Sequence, residues 1–257
     1  MTKQEPLIKK AKCLVRQARL PRYFNRYGRK WHPTWQIYLC HLVYTVHAPS
    51  WPRAARFMRD FYGLDMHFTC WQKAIAKWPA WAWHALGRAS AGDEPCRWAA
   101  IDGTTLARSN PSQHYYRHIL GGQTARPIQQ VVMIDVDRRK FLSWRVRARP
   151  RGEKCDIPYL FAHAATKPGG VLMDKGFDAE WIHEWFDQHG VWSIAPTRKG
   201  CRRGRHRKIL RDCFDYELYW QRSIVEALIG AVKRLFGGHV RSRNWRTQRA
   251  EINSKLI

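Results

Sequence analysis

The chain has 257 residues and a net charge of +26, from 46 Lys and Arg against 20 Asp and Glu, with a sequence pI near 10.4. Apolar residues make up 45% and there are 14 Trp, enough core-forming material to exclude a disordered basic tail, an acidic solvating segment and a collagen. A folded body this basic is expected to meet a polyanion, and nucleic acid is the first candidate.

Met1 to Pro6 holds no apolar signal core, and no segment reaches the ~18 apolar residues of a membrane span. The seven Cys are an odd number without a C-x2-C pair, as expected of reduced thiols in a cytosolic protein. Cys201, His206 and Cys213 match no common zinc spacing.

Residues 1–89 read as a helical domain rich in Trp and Arg. A helical pattern runs from Thr34 to Val46. Ser50 and Pro52 make a helix start, since Ser caps and Pro fits the first turn. The helix over 52–62 carries Ala54, Ala55, Phe57, Met58 and Phe61 on its apolar side, and Gly63 stops it. A second helix is expected over 68–78. Two short helices around a Gly-containing turn fit a helix-turn-helix over about 51–78, and an ordinary helical hairpin fits equally well. On the first reading Thr69, Gln72, Lys73 and Lys77 are candidates for the groove-facing side.

Residues 90–96 are a linker by composition. After it the pattern alternates. Strands are expected over 97–101, 128–136, 141–147, 170–173 and 191–195, the second and third joined as a hairpin. Helices are expected over 156–166, over 178–188 with Trp181, Ile182, Trp185 and Phe186 inward, and over 216–236 as one long element. Residues 198–208 form a basic loop in which Arg202, Arg203 and Arg205 are candidates for phosphate contact, as is the stretch 241–249. This order implies an α/β (α+β) mixed sheet with helices on its faces, in a second domain over 97–257. No Gly-rich phosphate loop of the P-loop or Rossmann type is present.

With so few acids, their places are informative. Asp102 ends the run W-A-A-I-D-G and Asp174 the run G-V-L-M-D-K-G, so both are expected at strand ends, where functional groups of such sheets collect. Singly, each is as well explained as a turn residue capping its own backbone. On a continuous helix, at about 100° per residue, Tyr219, Arg222, Glu226 and Lys233 fall within a sector roughly 60° wide beside the apolar stripe. That places Glu226 at the rim of the core; the alternative is a solvated salt-bridge ladder. Two strand-end aspartates and a helix glutamate make an oxygen-ligand site for Mg²⁺ or Mn²⁺, with room for two ions. Two such ions can activate a water and stabilise the leaving oxygen in phosphodiester cleavage. Tyr219, Arg222 and Lys233 beside them would position the phosphate backbone.

Tyr219-x2-Arg222-x3-Glu226-x6-Lys233 resembles the Y-x2-R-x3-E-x6-K signature of DDE transposases from prokaryotic insertion sequences, families 4 and 5 and their relatives. I-D-G-T from Ile101 to Thr104 is similar to their first-aspartate block, and M-D-K-G-F-D from Met173 to Asp178 to their second. The resemblance implies an RNase H-like catalytic core preceded by a helix-turn-helix domain, with Asp102, Asp174 and Glu226 as catalytic metal ligands. It implies a cytoplasmic, nucleoid-associated enzyme of DNA recombination, acting as a homodimer on double-stranded DNA. Such an enzyme binds terminal inverted repeats, cleaves the element ends as an endonuclease and joins the 3′-OH to target DNA. Two departures stand out. The β-rich insertion that some relatives carry before the signature helix has no room here, and the chain stops in mid-helical pattern, which implies a C-terminally truncated copy. Two other functions fit the same residues: an RNase H-like nuclease or resolvase without strand transfer, and a catalytically dead DNA-binding protein derived from an element.

Overall fold

The computed structural model describes residues 5–24, 32–47, 50–108, 117–119, 126–200 and 203–257. They form two compact units, one from residues 1–90, 107–126 and 232–257, the other from 91–106 and 127–231. The stretch 97–257 is therefore shared between the two.

The first unit is helical: α1 Glu5–Gln17, α2 Thr34–Val46, α3 Trp51–Tyr62, α4 Phe68–Ala76 and α5 Ala80–Ala91. Helix α2 is apolar nearly all round and buries nine of its residues, so it is the central element. Helix α3 begins where Ser50 Oγ accepts from Arg53 N–H. It ends at Gly63, whose φ of 64° is the left-handed cap that glycine adopts without strain. It buries Trp51, Ala54 and Met58, while Phe61, expected inward, is 49% exposed. Trp71, Trp78 and Trp83 fill the core of this unit with Tyr38, Tyr44 and Leu39. Ala250, from a helix at the other end of the chain, joins the same core.

The second unit holds a five-stranded sheet in the order β3-β2-β1-β4-β5. The strands are β1 Cys96–Leu106, β2 Ile128–Asp135, β3 Lys140–Arg147, β4 Pro168–Met173 and β5 Trp192–Ile194. β1, β2 and β3 pair antiparallel; β1 with β4, and β4 with β5, pair parallel. All eight residues of β2 are buried, as befits an interior strand covered on both faces. Ile101, Val131, Met133, Val171 and Met173 pack on one face with Leu160 and Phe161 of α6 (Ile157–His163) and with Ile182 and Phe186 of α7 (Glu180–Gln188). Trp181, expected inward on α7, is 44% exposed.

Four local expectations are corrected. β1 does not stop before Asp102 but runs on to Leu106, because its antiparallel register with β2 continues through Leu106↔Ile128. The helix expected over 156–166 is a 3-10 turn, Glu153–Asp156, leading into α6.

The basic loop over 198–208 folds from Arg205 into a helix, α8 (Arg205–Asp212). Its first N–H groups find a distant acceptor: Glu180 accepts from His206 N–H at 2.9 Å and from Arg207 N–H at 3.3 Å. The long helix over 216–236 is broken into α9 (Tyr216–Trp220) and α10 (Ser223–Phe236). Asp215 caps α9, and the N–H groups of Gln221, Arg222, Ile224 and Val225 each bond three residues back, inserting 3-10 geometry between the two pieces. The last helix, α11 (Trp245–Leu256), belongs with the helical unit.

Candidate active site

The parallel register of β1 and β4 ends at Ile101↔Met173. Asp102 and Asp174 each stand one residue beyond that pair, so two neighbouring strands deliver two carboxylates side by side. Asp174 therefore occupies the expected strand end, while Asp102 lies inside β1 at the point where its parallel partner stops. Gly103 N–H donates to Asp102 Oδ1 at 2.8 Å. Asp174 Oδ1 is buried and has no hydrogen-bond partner.

Burial raises the Asp102 carboxyl above its ordinary range. The negative charges of Asp174 and Glu226 add to that, and the Gly103 N–H and the Arg222 guanidinium oppose it. All three expected acids therefore act on one another. A fourth, Glu153, shares their field: burial raises its carboxyl too, Gln129 opposes, and Asp102 and Asp174 push it further up.

The signature residues are joined physically. Tyr219 is the fourth residue of α9, Arg222 lies in the break, and Glu226 sits in the first turn of α10. The Arg222 guanidinium lies 5.8 Å from the Tyr219 ring centre and pairs with Glu226. The single 60° stripe is corrected accordingly, since Tyr219 belongs to a different helix. The Glu226 side chain is 55% exposed, not lodged at the rim of the core, so the ion-pair alternative describes its resting state. Lys233 lies two turns further along α10 and is half-buried.

Among the described residues, no three His, Cys, Asp or Glu side chains are gathered closely enough to hold a metal ion. The fit of a divalent cation can still be judged on the donors present. Asp102 and Asp174 are adjacent carboxylates, and the unpartnered Asp174 oxygen is the kind of hard donor that Mg²⁺ or Mn²⁺ takes. Mutual repulsion and desolvation of the acids are relieved by such a cation. The residues fit.

Asp178 and Asp135, although close in sequence to these acids, are structural. Asp178 is fully buried; Arg207 Nε and Nη2 donate to it at 2.7 and 2.8 Å, and Arg198 N–H at 2.7 Å. Asp135 accepts from Arg138 N–H and Nε, both at 2.8 Å, and so closes the β2–β3 turn.

On α4, Trp71 and Ile75 face the core while Lys73 is exposed and Thr69 and Gln72 are half-buried; Lys77 follows the helix and is exposed. Arg203 and Arg205 are exposed, and Arg202 lies outside the described residues. Within 241–249, Arg241 Nη2 is committed to Tyr44 O and Thr45 O, both at 2.8 Å, and Arg249 donates to Trp78 O at 3.4 Å. Arg243 and Arg246 remain exposed.

The family model described as "Transposase DDE domain" matches residues 97–257. Among solved structures, the chain is similar to the piggyBac transposase in its synaptic complex with hairpin DNA. The TM-score is 0.53 at 10% identity, over 98% of this chain and 70% of that one, a likeness of fold alone. The five-stranded mixed sheet is accordingly that of an RNase H-like core. A simian T-cell lymphotropic virus intasome in complex with PP2A regulatory subunit B56 gamma matches 80% of this chain and 64% of that one, at 11% identity. Its TM-score of 0.34 is too low to bear on the fold. No curated protein is similar in sequence at a significant level.

Proposed function

This chain belongs to the transposase DDE domain family, and we propose that it cleaves DNA at the terminal inverted repeats of a mobile element and joins the freed 3′ ends to target DNA. The observation that carries the reading is the pairing of Asp102 and Asp174 beyond the last β1–β4 partners, with one Asp174 oxygen buried and unpartnered. Asp102, Asp174 and Glu226 would hold Mg²⁺ or Mn²⁺, one ion or two. A divalent ion bound there supplies an activated water and stabilises the leaving 3′ oxygen.

The chain's own residues do the rest. Arg222 neutralises Glu226 while the site is empty of substrate and offers its planar donors to a phosphate when DNA arrives. Tyr219, beneath the guanidinium, limits where it can swing. Lys233 adds positive charge further along the same helix. The Tyr219-Arg222-Glu226-Lys233 spacing supports membership of the insertion-sequence group of families 4 and 5. Recognition of the element ends falls to the helices of 51–78 through Thr69, Gln72, Lys73 and Lys77, and sequence-blind phosphate contact to Arg202, Arg203 and Arg205. A homodimer on duplex DNA, one protomer per element end, completes the proposal.

The test is cleavage and strand transfer on inverted-repeat duplexes. Asp102→Asn, Asp174→Asn and Glu226→Gln should each lower Mg²⁺-dependent cleavage by about 100-fold or more while DNA affinity stays nearly unchanged. Asp137→Asn, in the exposed β2–β3 turn, should cleave normally. Retained cleavage in any of the three variants removes that residue from the site. Cleavage without joining would make the protein a nuclease or resolvase.

A further inference from the structure

A fourth acid reaches the same field from the segment after β3. Glu153 opens the 3-10 turn Glu153–Asp156, and its carboxylate lies against the backbone of Gly103, the residue next to Asp102. A Cβ at position 103 would overlap both Glu153 carboxylate oxygens and their carbon. Any residue other than glycine there must therefore expel the Glu153 head group or shift β1.

Gln129 fixes Glu153 in that place. It is a buried residue of β2, and its register partner on β1 is Thr105, two residues from Gly103. Its side-chain amide donates to Arg151 O at 2.7 Å and to Glu153 Oε1 at 3.4 Å, and accepts from Arg151 N–H at 2.8 Å. A glutamine inside a fully buried strand needs partners, and these are the ones it has. The other charges of the turn are engaged elsewhere. Asp156 is held by Arg145 and Arg147, and Lys154 donates to Asp178 O at 3.0 Å.

We infer that Glu153 is a fourth carboxylate of the divalent-ion site, seated by Gln129 in the space that Gly103 leaves open beside Asp102. The inference rests on the reading of Asp102 and Asp174 given above. It assigns Gly103 a role of its own: the glycine is there to admit the glutamate. The independent sign of a missing cation is the buried, unpartnered Asp174 oxygen that faces the same set of acids.

Direct measurement of Mn²⁺ binding to the full chain without DNA, by electron paramagnetic resonance or calorimetry, tests this without relying on activity. Glu153→Gln keeps the shape and removes the charge, and should weaken Mn²⁺ binding about 10-fold or more. Gly103→Ala should do the same by displacing the carboxylate without removing it, and carries the test should the amide variant fail to fold. Glu184→Gln, exposed on α7, should stay within two-fold of the parent. If Asp174→Asn weakens binding and both Glu153→Gln and Gly103→Ala match the parent, Glu153 is no part of the site. If Asp174→Asn also matches the parent, the site assignment itself fails and Glu153 falls with it.

Discussion

Asp178 and Asp174 lie four residues apart in one motif, and their surroundings give them opposite work. Asp178 is buried, which by itself raises its carboxyl, but Arg207 and the Arg198 N–H more than offset this and hold it below the ordinary range. It is a structural anion, and its amide would leave Arg207 without its charge partner. Asp174 has no such partner on its buried oxygen. His183 shows the same logic with the sign reversed. Burial pushes its imidazole from 6.5 down to about 4, against the pull of Asp178 and Glu180. Its Nδ1 faces Ser193 Oγ at 2.8 Å, while Nε2 is buried without a partner. Folded His183 thus stays neutral down to about pH 4, whereas the unfolded chain takes up that proton from 6.5 downward. The unfolded state holds more protons across this window, so stability falls as pH drops from 6.5 toward 4, by about 3 kcal/mol at most from this one residue. Urea denaturation at pH 7 and pH 4.5 should show the loss in the parent and a smaller loss in His183→Phe. An equal loss in both would place the acid sensitivity elsewhere.

At the scale of elements, the sequence is legible wherever a pattern is local. The hairpin of β2 and β3, the helix α2 and the start and stop of α3 follow from periodicity, Ser50, Pro52 and Gly63. Asp102 and Asp174 were legible as acids closing apolar runs. What was not legible depends on partners far along the chain. The helix α8 looks like a basic loop because its capping carboxylate is Glu180, on another helix. The break before α10 hides because Tyr216 to Phe236 has no Gly or Pro at the break to announce it. Glu153 carries no motif, and only the lone Gly103 inside a strand hinted that something approaches the backbone there. Helix α11 is the sharpest case. Its polar sequence, W-R-T-Q-R-A-E-I-N-S-K-L, suggests an exposed helix, yet nine of its residues are buried. Glu251 explains how: it accepts from Arg241 N–H at 3.1 Å and Ser242 N–H at 3.0 Å and pairs with Lys255 at 3.2 Å, both side chains 1% exposed or less. Removing one partner strands a buried charge. Glu251→Gln should therefore lower stability by about 3 kcal/mol, and Glu251→Gln with Lys255→Met should recover most of it. Thermal denaturation of the two variants decides this, and a single variant as stable as the parent would mean that water reaches Lys255.

For the whole molecule, the excess of 46 basic over 20 acidic residues has to be divided between charges that build the protein and charges that face solvent. Arg138, Arg145, Arg147, Arg207 and Arg241 are structural, each committed to a buried acid or a backbone carbonyl. Lys73, Lys77, Arg203, Arg205, Arg243 and Arg246 are exposed. Where such residues meet phosphates they release counterions, so affinity should fall by roughly 0.9 log units per log unit of salt for each phosphate neutralised. Deleting residues 1–90 is a poor way to separate reading from holding, because 232–257 share a unit and a core with them. Point substitutions keep both units intact. Arg203→Gln with Arg205→Gln should weaken binding to inverted-repeat and scrambled duplexes alike and reduce the salt slope by about 2, one for each phosphate no longer neutralised. Gln72→Ala, on the solvent side of α4 away from Trp71 and Ile75, should instead cost about 1–3 kcal/mol on the inverted repeat and almost nothing on the scrambled duplex. Binding titrations of both variants on both duplexes, at two salt concentrations, separate the two roles. If Gln72→Ala weakens both duplexes equally, α4 does not read bases, and residues 51–78 form a packing module whose exposed lysines only hold the backbone.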